Sequence, residues 1–218
     1  MKRIIIICEG QTEQEFIKAT MQHYFASKGI YLQTPLIKAS RGGIVNWNKL
    51  KQEVETHLKT DKTAIVTTLI DYYGLYTKHS FPNWSICEAI ANKVDRMVAL
   101  ETAMSNDIDE TYRHRFIPYL QLHEFEGLLF NDINIIYSQV PPADIVNEAE
   151  LVKTFAQYDN PEMINNIRTT SPSHRLQRII KGYNKVVYGS ILSEAIGLER
   201  MRAKSPRFNE WVTKLEYI

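Results

Sequence analysis

A chain of 218 residues is long enough for one substantial domain, and 44% hydrophobic with 23% charged residues is the composition of an ordinary soluble globular protein. The formal net charge of +1 means that any nucleic-acid partner must be held by a local basic patch, not by the overall field. Two cysteines, Cys8 and Cys87, make no disulfide framework and fit a reducing compartment. The basic-then-apolar start "MKRIIIIC" is too short for a signal peptide, and no stretch approaches the roughly 20 apolar residues of a membrane helix. These features predict a cytoplasmic protein without a membrane partner.

In chain order, "RIIIIC" (3–8) is a continuous β-branched run, the pattern of a strand buried on both faces. "TEQEFIKATMQHYFASKG" follows with Phe16, Ile17, Met21, Tyr24 and Phe25 at helical spacing, and Thr12 with Glu15 reads as a capping box at its start. A weaker strand over 30–39 is interrupted by Pro35, a helix is predicted over 47–59, and "TAIVTTLID" (63–71) is a second buried strand. "WSICEAIANKVDRMVALETAM" (84–104) reads as one long amphipathic helix, and 115–130 as a strand to Leu122 followed by a short apolar helix. Beyond about residue 132 only helical segments remain, with Pro161 after Asn160 and Pro172 after Ser171 as start signals. The alternation predicts an α/β fold with a mostly parallel sheet flanked by helices (1–131), and a helical C-terminal extension (132–218) packed on it as one unit.

Three predicted strands end on acids: Glu9 after "IIIIC", Asp71 after "VTTLI", and Glu124 with Glu126 after "YLQLH". Glu13 stands one turn beyond Glu9. In an open parallel sheet ligands gather outside the carboxyl ends of the strands. Carboxylates crowded there repel one another unless a hard divalent cation, Mg2+ or Mn2+, joins them. Each acid alone also has an ordinary reading: Glu13 as a first-turn helix acid, Glu9 as a turn residue, Asp71 as a cap of the "YYGLY" turn. No histidine or cysteine cluster supports zinc; "HEFEG" (123–127) has Gly127 where H-E-x-x-H needs its second histidine, and His123 reads as structural. The last quarter is locally basic, and Arg175, Arg202 and, in the "SRGG" loop, Arg41 are candidate phosphate contacts or solvated surface charges.

"CEGQTE" resembles the opening signature of Toprim domains of the overcoming-lysogenization-defect nucleases. Together with "LIDYYGL", "QLHEFEGLLF", "PSHRL", "GYNKVVYG" and "IGLERMRAKSPRFNEW", the chain more closely resembles a Toprim-like bacterial family, the domain of unknown function 4276 type, often encoded beside ATPases of the AAA or ABC type. The resemblance implies metal-dependent phosphoryl chemistry on DNA or RNA. It makes Glu9 a metal ligand or general acid/base, Glu13 and Asp71 further ligands, and Lys185 a cation that steadies transition-state charge. Tyr73 stands where the second aspartate of the DxD motif belongs, and Glu124 or Glu126 is the candidate replacement. The expected function is an Mg2+-dependent nuclease or phosphotransfer subunit working with an ATPase partner in phage defence. A degenerate binding subunit and a small-molecule phosphohydrolase are the alternatives, and a homo-oligomer is left open.

Overall fold

The computed structural model describes residues 2–38, 46–165 and 167–218. Strands β1 (Lys2–Cys8), β2 (Ile30–Gln33), β3 (Ile65–Asp71), β4 (Phe116–Ile117) and β5 (Leu120–Gln121) form a sheet in the order β2-β1-β3-β4, with β5 also on β3. Every pairing is parallel. Pro35 ends β2 early, as expected of a residue that cannot donate to a ladder. The chain rejoins β1 only through a bridge between Leu36 and Cys8. The run expected as one strand to Leu122 is two short pieces. Pro118 interrupts the ladder there, and the Thr68 hydroxyl replaces it, donating to Tyr119 O (2.8 Å) and accepting from Tyr119 N (3.0 Å).

The isoleucine run works as its pattern demands. Ile4, Ile6 and Cys8 enter one apolar core, while Ile5 and Ile7 enter a second core on the other face. Along the first face run α1 (Gln11–Phe16), a π-helical turn (Ile17–Met21) and α2 (Gln22–Ser27), continuous with one another. The second face is covered by α3 (Trp47–Thr60), α4 (Trp84–Glu88) and α5 (Lys93–Asp107), followed by the short α6 (Glu110–Arg113). A 3-10 helix (Phe125–Leu129) leads into α7 (Ile133–Gln139), α8 (Glu148–Gln157), α9 (Pro172–Ile179), α10 (Lys185–Ile196), α11 (Leu198–Lys204) and α12 (Pro206–Glu216), which return to the first face. No described helix is long and apolar enough to cross a membrane.

Two local expectations are corrected. The first helix starts at Gly10, not Thr12: the Glu13 carboxylate reaches back to accept the Gly10 N–H at 2.8 Å, so the capping acid is Glu13 and not Glu15. The helix expected over 84–104 is broken between Glu88 and Lys93. The Asn92 side chain accepts from Val94 N and Asp95 N and starts α5 afresh, and Arg96 turns back to bond the Ile90 carbonyl. The Asn92 cap was in the sequence, hidden inside an unbroken apolar period.

The C-terminal helices are bound to the sheet as firmly as any part of it. Trp211 of α12 stacks on Tyr119 (centroids 4.6 Å apart) and donates its indole N–H to Thr67 Oγ1 of β3 at 2.9 Å. Arg207 pairs with Glu101 of α5 at 2.5 Å, and Glu162 accepts the Arg207 and Phe208 N–H groups that open α12. Trp211→Ala should therefore cost about 3–5 kcal/mol, the usual range for a fully buried large aromatic. Denaturant unfolding should still show one transition; a separate early transition of the helical segment would contradict the shared core.

Candidate active site at the carboxyl edge of the sheet

Register places the strand ends together. Cys8 pairs with Leu69, and Asp71 with Gln121, so Glu9, Asp71 and the 122–126 segment leave the sheet along one edge. Glu9 N–H donates to Leu69 O (3.2 Å), and the Glu9 carboxylate accepts the Asp71 N–H at 3.1 Å. Asp71 Oδ1 in turn accepts the Phe125 N–H at 2.8 Å. Tyr73 N–H donates to His123 O at 2.7 Å, which holds the 122–126 turn against β3. His123, at φ 66°, makes the bend that brings Glu124 and Glu126 inward.

Each of the other acids has its own anchor. Glu13 is buried and held on Gly10 N–H. Glu124 is spent on Ser173, accepting both its N–H (2.8 Å) and its hydroxyl (2.9 Å) at the start of α9. Glu126, 1% exposed, accepts from Lys185 Nζ at 2.7 Å. The structure gives the two late acids different partners: Glu124 caps α9, and Glu126 faces Lys185. Lys185 is the first residue of α10, and its side chain remains 45% exposed. It overhangs the acids because α10 lies tight on α1, where a Cβ on Gly189 would stand 3.1 Å from Thr12 Cγ2. The 3-10 helix carrying Glu126 is seated just as closely, a Cβ on Gly127 meeting Pro161 O at 3.0 Å.

Burial and mutual repulsion dominate the electrostatics. Burial, then the Glu13 charge, push Glu9 up to about 8. Burial above all, with the charges of Glu9, Glu13, Glu126 and Glu124, holds Asp71 well above the usual carboxylate range. Burial raises Glu13 against the hydrogen bonds it accepts, and raises Glu126 against the pull of Lys185. Burial alone would lower Lys185, but Glu126, Asp71 and Glu124 outweigh it and hold the ammonium above its ordinary value. Four carboxylates that all resist ionisation around one cation form an acidic site short of positive charge.

Donor chemistry fits a hard divalent ion, since every side chain offered is a carboxylate. Convergence does not yet fit: among the described residues no three acid, histidine or cysteine side chains meet as a ligand set. The backbone and Lys185 bonds above explain why, because each carboxylate is turned onto a protein donor.

The remaining candidates lie apart from these acids. The Arg175 guanidinium is buried, bonded to Thr170 O and Thr154 Oγ1, so it serves the α8–α9 packing. Arg202 forms a paired contact with Glu216 and bonds Asn209, which ties α11 to α12. Both arginines are thus committed within the fold, and the expected phosphate contacts find no free guanidinium in either. Arg41 and the "SRGG" loop lie outside the described residues. A residue that periodicity did not single out is Tyr183, whose buried hydroxyl has no partner and whose ring, stacked on Tyr188, lies in the field of Glu126 and Glu124. Its only sequence signal was its place two residues before Lys185.

The raised pKa values set a sign for pH dependence. Between the ordinary glutamate value near 4.5 and about 8, the unfolded chain loses the Glu9 proton while the folded protein keeps it. Stability therefore falls as pH rises through that window. At about 2–4 °C per kcal/mol for a chain of this size, the melting temperature should drop by on the order of 10 °C between pH 5 and pH 9 from this group. Glu9→Gln should flatten that slope; an identical slope in the variant would mean that Glu9 ionises freely.

A family model described as a domain of unknown function, DUF4276, matches residues 8–216. No curated protein and no solved structure matches the chain. The match spans all the strand-end acids, Lys185 and the helices that seat them, and so the chain belongs to the DUF4276 family.

Proposed function

We propose that the protein is a metal-dependent phosphodiester hydrolase of Toprim-like type, a nuclease or phosphotransfer subunit acting on nucleic acid. One observation carries the reading. Glu9, Glu13, Asp71 and Glu126 are gathered at the carboxyl edge of a parallel sheet, each held above its usual pKa, with Lys185 the overhanging cation among the described residues. Mg2+ or Mn2+ bound there would supply the missing positive charge and activate water for attack on phosphorus.

The residues divide the work. Asp71 and Glu9 are fixed to the strand tips by backbone N–H groups, which gives a metal ion rigid oxygen partners. Glu13 and Glu126 complete the acidic wall. Burial and the Glu13 charge push Glu9 up to about 8, so near neutral pH it holds a proton that a bound cation would displace, leaving Glu9 as a ligand. Lys185, exposed and bonded only to Glu126 among the described residues, can release it and turn to the phosphoryl oxygens, where charge develops. An AAA or ABC-type ATPase partner and a role in phage defence belong to the same proposal and rest on the family resemblance.

A second reading is favoured by two observations. Tyr73 replaces the second aspartate, and its N–H is occupied by His123 O; and no three acids meet as ligands among the described residues. This reading makes the protein a binding subunit of an ATPase or nucleic-acid complex with a vestigial site.

Cleavage of DNA and RNA with Mg2+ or Mn2+, alone and with the co-encoded ATPase, separates the two. Lys185→Ala should lose about 100- to 1000-fold in rate, the usual cost of one preorganised charge, while keeping its fold. Glu9→Gln should lose activity as well. Full activity in Lys185→Ala would remove it from the mechanism, and an inactive wild type under every combination would favour the binding subunit.

A further inference from the structure

Beside the acids lies a spot of the opposite charge. Lys93 opens α5, and its Nζ stands 3.2 Å from Nε2 of His123, the residue that bends the chain toward Glu124. Burial and the Lys93 charge push the His123 imidazole down to about 3, so the ring is neutral near pH 7. A lysine ammonium has only donors, so Nε2 is the acceptor and the ring proton sits on Nδ1. That Nδ1 is buried, in a side chain with 0% exposure, and has no partner among the described residues.

Nothing acidic compensates this corner. The charge of Arg96 acts on Lys93, and burial together with Arg96 holds the Lys93 ammonium below its ordinary value. The Arg96 guanidinium bonds Ile90 O and the Tyr72 hydroxyl, both neutral. Among the described residues neither cation has a carboxylate within ion-pair distance, although Asp95 is close in sequence. Two neighbouring cations without a carboxylate partner make a spot that gains from an anion. The hydrogen bond from Tyr73 N–H, two residues beyond Asp71, to His123 O ties this corner to the end of β3.

We propose that Lys93, oriented by His123 and backed by Arg96, is an anion subsite that takes a phosphate of the substrate next to the one held at the acids. The inference rests on the phosphodiester reading and adds to it the polarity of the site: acids at the reacting phosphate, cations at its neighbour. It accounts for a lysine kept against a neutral imidazole and not paired with an acid. It also gives a nucleic acid a foothold that the committed Arg175 and Arg202 do not offer.

The test uses inorganic phosphate as probe, with the full chain in EDTA so that no metal takes part. Melting temperature is followed against phosphate and, at matched ionic strength, chloride. Wild type should gain about 2–4 °C at a phosphate concentration about ten times its Kd. Lys93→Gln should lose the gain while melting normally in chloride, with Kd raised about tenfold or more. Lys93→Arg should keep most of the gain, and Asp71→Asn all of it. Where cleavage is measurable, Lys93→Gln should raise KM with kcat little changed. Equal phosphate responses in wild type and Lys93→Gln, or no response in wild type, would overturn the subsite. A phosphate response lost in Lys93→Gln together with no cleavage under any condition would keep the subsite and overturn the phosphodiester reading instead.

Discussion

Asp71 is the residue on which the two halves of the site turn. Its N–H is taken by Glu9 at 3.1 Å and its carboxylate by Phe125 N–H at 2.8 Å, so the tips of β1 and β3 and the 122–126 turn are fastened through one residue. The fastening brings Glu9, Glu13 and Glu126 into a common field, where burial and repulsion raise every one of them. A protein selected only for stability would gain from neutral residues at these positions. The electrostatic cost is held in place by two apolar cores, one on each face of the sheet, that fix the strand tips irrespective of what they carry.

The helical second half is what closes the acids in. Ser173 at the start of α9 takes Glu124, Lys185 at the start of α10 takes Glu126, and Glu162 and Arg207 tie α12 back to the sheet. The close seating of Gly189 on Thr12 sets the height of Lys185 above the acids. Removing the extension would thus expose the core and also strip the site of its cation. Sheet and extension share one apolar core.

Much of this was legible in the residues. The isoleucine run announced a strand buried on both faces, and the acids that end the predicted strands do lie along one edge of the sheet. Lys185 was reached through resemblance, and the structure sets its ammonium 2.7 Å from Glu126. Other features depended on tertiary contacts with no local signature. Glu124 reads like Glu126 in sequence, and only the start of α9 decides that one is a cap. Arg175 and Arg202 look like surface cations, but their partners are 21 and 14 residues away and consume them inside the fold. The break between α4 and α5 was masked because Asn92 interrupts neither the apolar period nor the helix propensity around it. Lys93 and His123 are 30 residues apart and meet only through the folding of α5 onto the strand edge.

Burial and mutual repulsion raise the acids, and on the proposed reading a divalent cation relieves them. Calorimetric titration of Mn2+ into the protein, repeated in buffers of different ionisation enthalpy near pH 7, measures binding and proton release together. Glu9 is protonated there, with a value of about 8, so a cation that takes its carboxylate must displace the proton. The account predicts binding that releases protons, with the release falling away as pH rises above 8, and loss of binding in Asp71→Asn. Binding without proton release, equal binding in Asp71→Asn, or no binding at millimolar Mn2+ would contradict it.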